Sequence, residues 1–156
     1  MLELNIPGWG TARFSAVLLD FNGTLAQDGR LADSTRERLA QLGEQLELYV
    51  ISADTHGTLA RMTEGLPLQA RRLQGKLGAE EKRRMVQELG ARQTIAVGNG
   101  RNDAAMLREA ALGIAILGAE GAALETLLAA DLVFPSVDDA LDSLLNPRRL
   151  LATLRG

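Results

Sequence analysis

The 156-residue chain carries 17 Lys and Arg against 20 Asp and Glu, a net charge of −3 at pH 7. No basic stripe offsets that acidic balance, which argues against a nucleic-acid partner. It has no cysteine, so disulfide and thiolate chemistry are excluded. It also lacks any run of about 18 apolar residues, the length a membrane-spanning helix needs.

The elements follow in chain order. The opening stretch MLELNIPGWG lacks the charged head and long apolar run of a secretory leader, so a cytoplasmic location is expected. Trp9 within it reads as a packing anchor. Ala16–Leu19 is a short apolar run of the kind buried on both faces of a parallel sheet. Helical periodicity follows Asp33-Ser34, and a second strand is predicted over Leu46–Ile51. A helix start at Asp54-Thr55 precedes a strand at Leu68–Leu73. The next helix opens at Ala79-Glu80 and closes at Gly90, a C-terminal glycine. Thr94–Val97 is a strand, and Asn102-Asp103 opens a helix. Gly113–Leu117 and Leu132–Phe134 are strands separated by the helical stretch AEGAALETLLAA. DDALDSLL and a terminal helix after Pro147 complete the chain. Strand and helix alternating through short loops predict a parallel α/β fold, one domain over residues 1–156, with no repeat or linker.

Ligands of open parallel sheets bind outside the carboxyl ends of the strands. Three such ends carry polar residues: Asp20-Phe21-Asn22-Gly23-Thr24, Ser52-Ala53-Asp54, and the stretch GNGRNDAAML from Gly98 to Leu107. A carboxylate at the mouth of a buried strand is costly unless a metal or hydrogen bonds hold it. Gly23 lets the chain turn sharply beside it.

DFNGTL, then VISAD, then a lysine in a helix, then VGNGRNDAAML together resemble the haloacid-dehalogenase-like superfamily, and most closely its P-type ATPase branch. The likeness continues through ALGIAILGAEG to AADLVF, so it spans nearly the whole chain without a membrane domain. It implies a three-layer α/β/α Rossmann-like fold around a central parallel sheet. It further implies a capless, Mg²⁺-dependent phosphohydrolase acting on a small phosphorylated or nucleotide substrate, with ATP hydrolysis within its range. Asp20 would be the nucleophile that becomes an aspartyl phosphate, and Lys82 would neutralise the phosphoryl group. Ser52, Ala53, Gly23 and Thr24 would hold the phosphate. Asp20, Asn22 through its carbonyl, Asn99 and Asp103 would hold the metal, supported by Asn102 and Asp54.

Two positions depart from the family pattern. Asn22 stands where its phosphatases carry a general-acid aspartate, and Asn99 stands where a metal-binding aspartate is usual. The Asn22 amide cannot transfer a proton, and the Asn99 amide oxygen can coordinate a metal only with one formal charge fewer, so weaker metal binding and slow turnover favouring activated leaving groups are expected. The rival expectation is an impaired descendant acting as a regulatory or interaction subunit. Plainer roles also suit several residues: Ser52, Asp54, Asn102 and Asp103 as helix caps, Lys82 as part of a solvated EEKRR face with Lys76 as fallback, and His56 as a surface residue. The spacing leaves no room for a cap domain, so a homo-oligomer is expected to cover the site.

Overall fold

A computed structural model describes residues 1–53 and 57–156 of the chain. The predicted strands form as β3 (Ala16–Asp20), β4 (Glu47–Ser52), β5 (Leu68–Arg72), β6 (Thr94–Gly98), β7 (Leu112–Ile116) and β8 (Leu132–Phe134). They pair in parallel in the order β5-β4-β3-β6-β7-β8, and β3, β6 and β7 are buried along their whole length. The chain builds β3, β4 and β5 toward one edge, then returns beside β3 and builds β6, β7 and β8 toward the other. The gap between β3 and β6 is therefore the topological switch point, where such sheets place their ligands.

Helices cover both faces. On one, α1 (Asp33–Leu42), α2 (Thr58–Met62), α6 (Val137–Leu145) and α7 (Arg148–Leu154) bury Val17, Leu19, Val50, Val97 and Ile114. On the other, α3 (Gly78–Leu89), α4 (Ala104–Glu109) and α5 (Leu124–Ala129) cover Ala16, Leu18, Ile51 and Ala96. The alternation of successive strand residues between these two clusters is the period-2 pleat. Arg38 and Thr35 of α1 meet Asp138 at the start of α6, fixing that helix pair.

One expectation requires correction, and one pair of strands adds to the predicted set. The first residues, for which no element is predicted, form an antiparallel hairpin of β1 (Leu2–Ile6) and β2 (Gly10–Phe14). Its inward residues Leu2, Leu4, Ile6 and Phe14 are buried, while Glu3 and Asn5 face solvent. Trp9 lies in the hairpin turn and is 48% exposed, so it does not anchor the segment. The strand predicted over Leu68–Leu73 forms as β5 at the sheet edge, with Gln69 to Arg72 exposed, which suits its polar composition.

Candidate functional site

Asp20 closes β3, between β4 and β6, and is 7% exposed. Immediately beyond it the chain folds back on itself. Gly23 adopts φ +77°, its N–H donates to Ala26 O (2.8 Å), and Ala26 N–H donates to Phe21 O (2.9 Å). A tight turn at Asp28-Gly29 (φ +52° and +74°) then returns the chain, with Gln27 and Arg30 paired across it. This loop brings the Thr24 hydroxyl between Asp20 Oδ2 (3.4 Å) and Asn99 Oδ1 (3.1 Å), joining the ends of β3 and β6.

Lys82 lies one turn into α3 and is 2% exposed. Its Nζ donates to Asp20 Oδ1 (2.8 Å) and to Asp103 Oδ1 (2.6 Å). It is thus no member of a solvated charged face, whereas Lys76 is exposed. Its neighbours Glu80 and Glu81 are used locally: Glu80 pairs with Arg83, and Glu81 accepts from the N–H groups of Gln74 and Gly75.

Asp103 is fully buried, and its Oδ2 accepts from the N–H groups of Asn99 (3.0 Å) and Gly100 (2.9 Å). It ties the turn after β6 instead of capping α4. A Cβ on Gly98 would stand 2.5 Å from Asp103 Cγ, which explains the first glycine of GNG.

The remaining predicted residues are less central. Ser52 is buried at the end of β4, and its Oγ accepts from Asn22 Nδ2 (3.2 Å). Ala53 is exposed just beyond it, and Asn102 is exposed above Gly100. Asp54 and His56 lie outside the described residues.

One residue the sequence reading missed comes to the same place. Glu120 lies in the turn after β7, and a Cβ on Gly23 would overlap its carboxylate while standing 2.8 Å from Asn99 Nδ2. Only the packing of that turn onto the β3 loop reveals it, because no motif in the sequence joins Gly23 to Glu120.

Burial, and then the neighbouring charge of Asp103, push the Asp20 carboxyl up to about 6, against the opposing pull of Lys82 and Thr24. Burial acts to lower Lys82, but the two carboxylates outweigh it and hold the ammonium above its ordinary value. One buried cation thus faces two carboxyl groups.

No protein-family profile matches the chain. Among solved structures, the 3-deoxy-D-manno-octulosonate 8-phosphate phosphatase of Moraxella catarrhalis superposes with a TM-score of 0.70 at 17% identity, over 91% of this chain and 94% of that one. The cobalt-bound phosphatase of the same kind from Haemophilus influenzae gives 0.71 at 16% identity, over 88% and 90%. A haloalkanoate-superfamily phosphatase of Bacteroides thetaiotaomicron gives 0.60 at 12%, over 90% and 96%. The chain has the haloacid-dehalogenase-like fold.

Within that fold, the chain belongs to one family with an uncharacterized protein of Methanocaldococcus jannaschii. The two are 44% identical over 86 residues, 51% of this chain and 92% of that protein. A chloroplastic copper-transporting ATPase of Arabidopsis thaliana is 31% identical over 118 residues, 71% of this chain but 12% of the ATPase. Among the described residues no helix is long and apolar enough to cross a membrane.

Proposed function

We propose that this chain is a phosphohydrolase that works through an aspartyl phosphate on Asp20. The observation that carries the reading is the buried Lys82 ammonium shared between Asp20 and Asp103 at the switch point of the sheet. Similarity in fold to phosphatases supports it. An Asp20 oxygen attacks phosphorus as the bond to the leaving oxygen breaks. Water then attacks the same phosphorus, releasing inorganic phosphate and restoring the carboxylate. Lys82 offsets charge on the phosphoryl oxygens, while Ser52, Thr24 and the backbone at Gly23 and Ala53 orient it. Asp54, beyond Ala53, and Asn102 complete the proposed supporting set.

The donor set fits a hard divalent cation. Two carboxyl groups against one ammonium leave unbalanced negative charge, and burial already resists ionisation of Asp20. Asp20, the Asn22 carbonyl, Asn99 and Asp103 are the oxygen donors we assign to it. Bound there, the cation would polarise the phosphoryl group. The Moraxella enzyme was solved with magnesium and phosphate and the Haemophilus enzyme with cobalt, which supports a divalent ion; we assign Mg²⁺.

Asn22 spends its amide on Ser52 and cannot protonate a leaving group. General acid–base work is typically worth about 10²–10⁴ in rate, so acyl and aryl phosphates are the preferred substrates and sugar monophosphates the poorest. The test is hydrolysis of acetyl phosphate and p-nitrophenyl phosphate with and without Mg²⁺, wild type beside Asp20→Ala. Mg²⁺-dependent turnover lost in the variant is expected. Equal inertness of both proteins would replace the enzyme with the binding-subunit reading, and brisk hydrolysis of a sugar monophosphate would overturn the leaving-group preference.

A further inference from the structure

Asn99 leaves the proposed cation site one carboxylate short of the pattern its family resemblance implies, and the structure places another carboxylate beside it. Gly118 (φ +50°) and Gly121 (φ +73°) bracket a tight turn after β7, with Gly121 N–H directed to Gly118 O (3.4 Å). This turn packs on the loop that follows Asp20: a Cβ on Gly118 would stand 3.6 Å from Gly23 O. Glu120 sits within it and lays its carboxylate over Gly23, in the space a side chain there would fill. Among the described residues that carboxylate has no hydrogen bond or ion pair.

Asn99 is what holds the turn in place. Its Nδ2 donates to Gly121 O (3.0 Å), and its own backbone carbonyl accepts from Ala123 N–H (2.9 Å). An aspartate at 99 has no proton to give Gly121 O and would set a carboxylate against that carbonyl. The amide and the nearby carboxylate therefore divide two tasks: Asn99 braces the turn, and Glu120 carries the charge beside it.

We infer that Glu120 replaces the missing carboxylate of the proposed divalent-cation site, completing the negative charge around a cation bound at Asp20; this rests on the function proposed above. Among the described residues no three acidic or histidine side chains converge closely enough to hold an ion directly. Glu120 accordingly acts through water on the cation, which suits Mg²⁺ because it retains several waters.

The test is Mn²⁺ binding by calorimetry and electron paramagnetic resonance, without substrate, on wild type, Glu120→Gln and the double variant Glu120→Gln/Asn99→Asp. Glu120 is exposed, so the single variant leaves the core intact. Loss of an outer-shell partner costs about 10–100-fold in metal affinity, and the dissociation constant should rise by that order in Glu120→Gln. Partial recovery in the double variant supports the replacement. Wild-type affinity in Glu120→Gln overturns the inference, even if hydrolysis remains Mg²⁺-dependent. Glu120-dependent Mn²⁺ binding by a chain that hydrolyses nothing upholds the inference and refutes the enzyme. Absence of Mn²⁺ binding by the wild type overturns the inference and the assigned metal together.

Discussion

Asp20 and Lys82 set the energetics at the scale of single residues. The Asp20 carboxyl lies near 6 in the folded protein against an ordinary 3.8. Between those values the folded state keeps a proton that the unfolded chain has released. The benefit of that proton is full below about 4 and is lost as pH rises through about 6. Holding Asp20 ionised at pH 8 thus costs on the order of 3 kcal/mol. Asp20→Asn should accordingly raise stability at pH 8 and leave it nearly unchanged at pH 4, as urea unfolding at both pH values would show, while turnover disappears. A gain of equal size at both pH values would mean that the ionised carboxylate is not the source of the cost. Lys82→Met acts in the opposite direction. It leaves two buried carboxyl groups without their shared cation, and breaking a buried pair typically costs about 3–5 kcal/mol. Unfolding at pH 8 should show that loss, shrinking as acid protonates the carboxyl groups.

At the scale of elements, the hairpin and the short turns do different work. β1 and β2 lie outside the parallel sheet, yet Leu4 and Ile6 are buried in the same cluster as Leu42 and Leu150. Gly156 N–H also donates to Pro7 O (3.1 Å), joining the last residue to the hairpin turn. Leu4→Ala should therefore destabilise the whole fold by about 2–5 kcal/mol in one cooperative transition, measured by calorimetry. A separate early transition for the hairpin would show that it is only loosely attached. The hairpin was legible in principle, because LELNI alternates apolar and polar residues. The turn residues Pro7 to Gly10 mark its reversal, and Trp9 within that turn projects to solvent, not into the core. The turns after β3, β6 and β7 carry the candidate site, and each depends on a glycine: Gly23, Gly98 and Gly118.

At the scale of the molecule, strand order is what assembles the site. Asp20 comes from the half of the sheet that builds toward β5, and Asn99 and Asp103 from the half that builds toward β8. They meet because β3 and β6 are neighbours, and α3 then carries Lys82 to the same point. The cavity of about 720 Å³ beside Thr24 is open on the surface and is lined by Arg30, Asp33 and Asp138 among others. We propose that a second copy of the chain covers the open site. Sedimentation velocity should then give a mass above the 16.7 kDa of one chain, and a species at that mass alone would remove the proposal.

The sequence by itself determined the class of fold and most of the central cluster. Buried parallel strands must be short apolar runs, and the polar residues at their carboxyl ends stand out against them; hence Asp20, Thr24, Asn99 and Asp103 were visible before any packing was known. The place of Lys82 in the motif order points to the site, while the residues alone allow it to be a solvated charge in EEKRR. Only the tertiary structure decided between those readings, by burying its ammonium between Asp20 and Asp103. The same holds for Asp103, whose carboxylate turns back to the Asn99 and Gly100 amides, and for Glu120, which no local pattern marks. Periodicity reports which face of an element is buried, but the meeting of side chains from β3, α3, β6 and the turn after β7 depends on strand order and loop packing, which a one-dimensional pattern does not contain.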